Sequence, residues 1–178
     1  MKVHDLQFAG YTIEIHTDED PESPSQWGDD NLFLTGFHRQ FHVQRKGFTE
    51  KVTKEQSKQF WVFPLYAYIH SGVSLSLGEF SCPWDSGQVG WVYVAKEEWR
   101  LQKSARKAAE GLVESWNSYL SGEVYGYIIR DDEGIDLDSC WGFLGDMSYC
   151  INEAKSSAES LRRHENEQAA KIDQMMHV

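Results

Sequence analysis

The chain contains few cysteines, few prolines and no long run of apolar residues. Its three cysteines, Cys82, Cys140 and Cys150, are an odd number without a CxxC pair, which argues against a disulfide framework and favours a reducing compartment. The longest apolar run, residues 60–69, is interrupted by Pro64 and has about half of the roughly 20 residues that a membrane-spanning helix needs. Residues 1–10 also lack the apolar core of a signal peptide. We therefore expect a soluble cytoplasmic protein.

Basic residues and common catalytic motifs are scarce as well. The chain has 17 Lys and Arg against 28 Asp and Glu, a formal net charge of −11. Because proteins that grip nucleic acid by its phosphates need a basic face, no direct binding of nucleic acid is expected. The motifs GxxxxGK[ST], GxGxxG, HExxH and GxSxG are absent, which removes the commonest nucleotide-binding and hydrolase sites.

The residues that are present favour a compact mixed fold. Hydrophobic residues make up 40% of the chain and aromatic residues 13%, enough for a sizeable core. Alternating apolar residues predict strands at 11–16 and 73–77, and apolar residues three or four apart predict helices over 96–120 and from about Met147. Since the strands group in hairpins and the helices stand apart, we predict an α+β fold. It would consist of an antiparallel sheet, a meander plus a hairpin, with two main helices on one face.

Several local features refine this prediction. Segments 60–69, 73–77 and 89–94 would form the meander, and residues 1–160 a single domain followed by a C-terminal helical extension, 161–178. Thr49 is a candidate cap for a short helix that ends near residue 59, and Asp146 is a candidate cap for the last helix.

Acidic residues are concentrated in two segments that contain no lysine or arginine. Residues 11–30 hold seven acids and residues 131–146 hold six. Such clusters create a local negative potential that attracts basic partners, although acids in loops often serve only solubility. We predict that the two clusters lie on one side of the molecule and form a partner-binding surface, with the residues Asp18, Glu19, Asp20, Asp29, Asp30, Asp131, Asp132, Glu133 and Asp136.

Two patterns raise the question of a metal. Segment 131–138 is rich in oxygen ligands of the kind that calcium prefers, but it lacks EF-hand spacing, and a turn at Gly134 accounts for it equally well. His38 and His42 would share a zinc-binding face only on a helix, and their neighbours favour a strand or turn. We predict no metal and no cofactor, and leave open a divalent cation at 131–138.

One group of residues resembles a catalytic arrangement. His70 and the pair Cys82 and Asp85 lie in two loops that flank one strand, so a Cys–His–Asp site is conceivable, with Cys82 as nucleophile. The alternative, which we prefer, is a structural hairpin with Trp84 buried in it. An enzyme is thus an open alternative rather than the expected outcome.

Five segments together resemble a family of small, largely uncharacterised proteins encoded by phages and plasmids. They are DPESP (20–24) before Trp27, HSG (70–72), FSCPWDSGQVG (80–90), SGEVYG (121–126) and DSCWGF (138–143). The resemblance implies a mobile element as the habitat, and small acidic proteins of such elements often inhibit host systems.

Three functions follow as expectations. The first is an accessory protein that binds a host protein through acidic loops and inhibits a nucleic-acid-handling defence complex, of the anti-restriction or anti-CRISPR type. The second is a hydrolase or transferase that uses the His70, Cys82 and Asp85 loops. The third is a structural or regulatory homodimer that is formed through the C-terminal helix.

Overall fold

The computed structural model describes residues 1–82 and 84–176, and it confirms the predicted α+β class. The strands are Lys2–Phe8 (β1), Tyr11–Thr17 (β2), Leu32–His38 (β3), Phe41–Val43 (β4), Phe60–Ile69 (β5), Val73–Ser76 (β6), Ser86–Ala95 (β7), Val124–Arg130 (β8) and Asp136–Leu144 (β9). The α-helices are Lys54–Gln59 (α1), Gln102–Ser121 (α2) and Met147–Met176 (α3), and a short 3-10 helix covers Pro24–Gln26.

The chain divides into two compact units, each with its own sheet. Unit 1 combines Met1–Pro21 with Gly122–Val178, and unit 2 is the intervening segment Glu22–Ser121. The strands therefore form two antiparallel sheets where the sequence predicted one, and each main helix packs on its own sheet. The sequence-based division at residue 160 stays a prediction, and α3 runs through that position without a break.

Unit 1 is a four-stranded sheet, in the order β1-β2-β8-β9, with α3 on one face. The alternation predicted for β2 is confirmed, because Tyr11, Ile13 and Ile15 are buried in the cluster that α3 covers, whereas the residues between them are only half-buried. The buried core consists of Tyr11, Ile13, Ile15, Tyr127, Ile129, Cys150, Ala154 and Ala158. Small residues on α3 let the helix approach the sheet closely.

Unit 2 is a five-stranded sheet in the order β4-β3-β7-β5-β6, with α2 on one face. The β5–β6 hairpin forms as predicted, but β7 pairs with β5 and β3 rather than with β6, so there is no three-strand meander. Gly90 shows why β7 fits beside β3. A side chain there would place its Cβ 1.8 Å from the carbonyl oxygen of Thr35, so only glycine permits this close pairing.

Helix ends follow local hydrogen bonding. Ser148 donates its backbone N–H to Asp146 Oδ1 at 2.8 Å, which confirms the predicted cap of α3 and lowers the pKa of Asp146. Helix α1 is capped by Thr53, not by Thr49, through a reciprocal pair with Gln56. Helix α2 begins at Gln102 rather than near Lys96. None of the helices in the described chain combines the length and apolar character that crossing a membrane requires.

Candidate functional site

The turn after β5 and the loop before β7 bring the three predicted catalytic residues together. His70 Nδ1 lies 3.7 Å from Asp85 Oδ2, and Cys82 Sγ donates to the same oxygen at 3.8 Å. The backbone carbonyl of Asp85 also accepts the N–H of Ile69 at 2.7 Å, which fixes the loop against the end of β5. His70 and Cys82, which are 12 positions apart in the sequence, thus meet at the carboxylate of Asp85.

The order of the three groups differs from that of a nucleophilic triad. In such a triad the histidine lies between the nucleophile and the carboxylate, so that it can accept the nucleophile's proton. Here Asp85 lies between the other two, and the thiol of Cys82 donates to the carboxylate. Ser86 donates its hydroxyl to the carbonyl oxygen of Cys82. The cluster therefore holds its loop together, and a proton transfer from Cys82 to His70 would require a rearrangement.

Trp84 lies outside the core, contrary to the sequence-based prediction. Its side chain is 91% exposed, two residues from Cys82 and next to Asp85; Pro83 lies outside the described residues. The prediction was wrong because it treated a large apolar residue as core without knowing which way the loop faces. Exposed tryptophans are common in protein–protein contacts.

The predicted acidic surface is distributed over both units. Asp18–Asp20 and Asp131–Asp136 belong to unit 1, whereas Asp29 and Asp30 belong to unit 2. Within unit 1 the backbone N–H of Asp18 donates to the carbonyl of Val124, the first residue of β8. Asp131 follows the last residue of the same strand, and seven residues of strand separate the two acids by roughly 20 Å. The two acidic groups of unit 1 thus lie at opposite ends of its sheet.

Several of these acids serve local structure. Asp18 and Asp29 accept backbone N–H groups within their own turns. Glu19 binds the N-terminal ammonium group at 2.8 Å, which lowers the pKa of Glu19 by hydrogen bonding first and charge second. Asp30 forms an ion pair with Arg45. These four carboxylates satisfy neighbouring groups, a role that the composition did not reveal.

The hairpin between β8 and β9 keeps free carboxylates. Asp131 Oδ1 accepts the N–H groups of Glu133 and Ile135 at 2.9 and 2.8 Å, and Gly134 adopts the left-handed conformation at φ +82°. This bonding fixes the turn. Among the described residues, no hydrogen bond or ion pair engages the side chains of Asp132 and Glu133, and both residues are exposed.

The arginine next to this hairpin tip is already engaged. Arg130 donates to Glu14 Oε2 at 2.7 Å and to Asp136 Oδ1 at 2.5 Å. Glu14 is also bound by Lys2 and by His16, and the hydrogen bond from His16 is the largest cause that lowers the pKa of Glu14. The positive charge nearest in sequence therefore does not neutralise Asp132 and Glu133.

Strand β9 is an edge strand that exposes apolar side chains. Its pairing with β8 is irregular near Leu137 and near Gly142, and such bulges interrupt the hydrogen-bonding edge. Ile135, Leu137 and Trp141 are exposed. From the sequence only the acids of this region were predicted as site residues, although the three apolar residues stand in the same segment.

Unit 2 contains a pocket of about 460 Å³ that no sequence motif indicated. It lies between segment 24–29, strands β3 and β4, and helix α2. The residues that line it include Trp27, Phe33, Arg45, Gly111, Leu112 and Trp116. They come from four separated segments, so only the tertiary structure brings them together.

Within the described residues, no group of three or more His, Cys, Asp or Glu side chains is arranged to hold a metal ion. His38 is the last residue of β3 and His42 is the middle residue of β4, so the two lie in a hairpin next to its turn rather than on a helix.

Comparison with known proteins gives no match to a family model and no significant match to a curated protein or a solved structure. The resemblance to phage and plasmid proteins therefore stays a prediction.

Proposed function

We propose that the protein is an accessory factor of a phage or related mobile element that binds a host protein in the host cytoplasm. In this proposal it inhibits a nucleic-acid-handling defence complex, of the anti-restriction or anti-CRISPR type, by contact rather than by catalysis. The partner is a protein with a basic surface, and the protein itself makes no direct contact with nucleic acid.

The observation that carries this proposal is the fixed, negatively charged tip of the β8–β9 hairpin. Asp132 and Glu133 project from a turn that the hydrogen bonds of Asp131 hold in place. Because the turn is already ordered, little conformational entropy is lost on binding. Unpaired carboxylates on such a turn attract a basic partner and orient its approach.

The apolar side chains beside the tip supply the second part of a binding surface. Ile135 is 55% exposed and Leu137 is 38% exposed, so a partner that covers them would remove apolar area from water. Charged groups mainly raise the association rate, whereas desolvated apolar groups slow dissociation. Since bulges interrupt the β9 edge, we expect side-chain contacts rather than an added strand.

A basic partner is consistent with a nucleic-acid-handling target. Proteins that bind nucleic acid present basic surfaces to its phosphates. An acidic hairpin that occupies such a surface competes with nucleic acid for it. The separation of the acids in unit 1 narrows the proposed contact from both clusters to the hairpin tip and its neighbours.

The experiment compares two pairs of charge-removing variants. Immobilised wild-type protein is incubated with host lysate, captured proteins are identified by mass spectrometry, and association rates are measured with the purified partner. We expect Asp132→Asn with Glu133→Gln to lower the association rate about tenfold at low salt and to leave folding unchanged. Raising the salt to about 1 M should remove most of the difference, because the Debye length falls to about 3 Å.

Glu97→Gln with Glu98→Gln is the matched control, since it removes the same charge from exposed residues of unit 2. If both pairs weaken binding equally, the effect is one of net charge and the hairpin is not the site. Capture that is unaffected by the hairpin variants would overturn the proposal.

Catalysis by Cys82 is the second candidate function, and the convergence of His70 and Cys82 on Asp85 favours it. A hydrolase or transferase would need Cys82 to lose its proton to His70 when substrate binds. The rate at which Cys82 reacts with an alkylating reagent, compared with that of Cys140, tests this candidate.

A homodimer through α3 is the third candidate. All residues from 164 to 176 are exposed, including Ile172 and Met175. A helix face without tertiary support gains stability if a second copy covers it.

A further inference from the structure

We propose that the pocket in unit 2 binds a small, uncharged aromatic molecule. This inference is independent of the proposed protein-binding function, since the pocket and the β8–β9 hairpin belong to different units. The volume of about 460 Å³ falls within the range of roughly 300–1,000 Å³ that small-molecule sites occupy.

Aromatic residues from three segments line the pocket. Trp116 of α2 is buried and Trp27 is 46% exposed. Phe33 of β3 also lines the pocket, but its ring is stacked on Tyr93 and covered by the Arg45 guanidinium, so the two tryptophans are the rings that a ligand can contact. Leu32, Leu34 and Leu112 complete the apolar wall. Aromatic walls favour a planar, apolar guest, because rings pack against one another in stacked or edge-on arrangements.

The wall is ordered by contacts within unit 2. Ser23 and Gln26 form a reciprocal capping pair at the start of the 3-10 helix, and Asp29 Oδ1 accepts the N–H groups of Asn31 and Leu32. Arg45 donates to the carbonyl of Asp29 at 3.0 Å. A site that is already built loses little freedom when its ligand binds.

Gly111 on α2 keeps part of the pocket open. It lies in the middle of a helix of 20 residues, where glycine is among the least favoured residues. A Cβ at this position would meet nothing within 4 Å, so no close packing requires glycine here. Because Gly111 lines the pocket, its missing side chain preserves space for a ligand.

The charges of the wall favour an uncharged ligand. The charged lining residues are Arg45 and Asp29, which have opposite signs. Arg45 is further neutralised by Asp30, and its guanidinium carbon lies 3.7 Å from the centre of the Phe33 ring. A charged ligand would lose its hydration in the pocket and would find no unpaired charge of opposite sign there.

The test uses three probes that share one ring and differ in charge: indole, indole-3-acetate and tryptamine. Their binding to the full-length protein is measured by saturation-transfer NMR and titration. We expect indole to bind and the two charged probes to bind about tenfold more weakly. Failure of all three to bind, or stronger binding of a charged probe, would overturn the inference.

Gly111→Leu tests the location of binding, because the added side chain fills the pocket. We expect it to reduce indole binding about tenfold, while Glu114→Leu, which adds leucine at an exposed position of the same helix, leaves binding unchanged. Trp27→Ala, which removes an aromatic side chain that lines the pocket, is measured as a second variant. It tests the location of binding even if Gly111→Leu does not fold. Indole binding that survives both pocket variants would place the ligand elsewhere and refute the proposal.

Discussion

Tyr93 carries a buried hydroxyl that has no hydrogen-bond partner among the described residues. Its ring packs against Phe33, Phe48 and Phe60 with centroid distances of 5.1, 4.8 and 5.8 Å. Desolvation by this burial raises the pKa of Tyr93 to about 12. The ring stabilises unit 2, whereas the hydroxyl opposes that stability.

Tyr93→Phe should therefore raise the free energy of unfolding by about 1 kcal/mol at neutral pH, since it removes an unsatisfied polar group. In the wild type, the unfolded tyrosine ionises near pH 10 and the folded one near pH 12. The stability that comes from keeping Tyr93 protonated is complete below about pH 10 and is lost as the pH rises towards about 12. Tyr93→Phe should lessen that alkaline loss in urea titrations.

Tyr127→Phe is the matched control for this prediction. The Tyr127 hydroxyl donates to Asp138 Oδ2 at 3.3 Å, so its removal should lower the free energy of unfolding by about 1 kcal/mol. Equal effects of the two variants would contradict the role assigned to the unpaired hydroxyl.

The three thiols differ in their surroundings, and their reaction with a thiol reagent should separate them. Cys140 is exposed, Cys82 is half-buried and Cys150 is buried. Burial, more than the neighbouring Cys140, raises the pKa of Cys150 to about 12. We expect Cys140 to react first at neutral pH and Cys150 to react only on unfolding, as followed by mass spectrometry of alkylated peptides.

Cys82 decides between a structural and a catalytic loop in the same experiment. With its thiol bound to the Asp85 carboxylate, it should react no faster than a free thiol. Asp85→Asn should change the alkylation rate of Cys82 only by loosening the loop. If Cys82 is alkylated before Cys140, the result favours the hydrolase or transferase.

At the scale of elements, α3 has a packed half and an exposed half. Ala154 and Ala158 are buried against the sheet of unit 1. Arg162 ends this contact by donating from Nε to the carbonyl of Ala9 at 2.8 Å, with its guanidinium carbon 4.6 Å from the centre of the Tyr11 ring. Beyond Arg163 every described residue of the helix is exposed.

Arg162→Ala should lower the free energy of unfolding by about 1–2 kcal/mol, since it removes a hydrogen bond and a cation–π contact. Arg163→Ala is its matched control, because the neighbouring side chain is exposed. Chemical denaturation of the two variants measures the difference. Equal free energies of unfolding would show that the contacts of Arg162 with Ala9 and Tyr11 do not stabilise unit 1.

Truncation after Arg163 tests the exposed half of α3. We expect the shortened chain to keep its fold, because the exposed half contributes little packing. Light scattering then reports the mass. A mass that falls from two chains to one supports a homodimer through α3, an unchanged mass argues against it, and loss of the fold would show that the tail belongs to the core.

At the scale of the whole molecule, unit 2 is an insertion between β2 and β8 of unit 1. Thr17 pairs with Tyr125 at this point, and the N–H of Asp18 donates to the carbonyl of Val124 at 2.8 Å. The chain therefore leaves unit 1 after β2 and re-enters it at β8, and the residues at these two points are hydrogen-bonded to each other. Each unit also has its own buried cluster.

We expect each unit to fold when it is produced alone. Residues 22–121 should give the circular dichroism of a folded α+β protein, and residues 1–21 should fold with 122–178 when a short Gly/Ser linker joins them, since the paired ends need only a hairpin loop. Cooperative thermal unfolding of each fragment would support this prediction. A fragment without secondary structure would show that its stability depends on the other unit.

The sequence by itself determined features that depend on residues close together in the chain. The alternation of Tyr11, Ile13 and Ile15, the stripe that packs α3 and the cap at Asp146 are local, because side-chain periodicity and capping act within a few residues. The meeting of His70 with Asp85 is not local, because it depends on the pairing of β7 with β5, which places Ser86 opposite Tyr68; in the predicted meander the two loops would lie at opposite ends of β6. Strand β1 gave no such signal, because its side chains are mostly exposed and do not alternate.

Only the tertiary structure decided which distant segments pair. The apolar strand β7 pairs with β5 and β3 rather than with its sequence neighbour β6, and on the β3 side this pairing depends on the close contact of Gly90 with Thr35. The same long-range packing divides the chain into two units, turns Trp84 outward, separates the acids of unit 1 and assembles the pocket. These outcomes depend on burial and register summed over many residues, so no short segment encodes them.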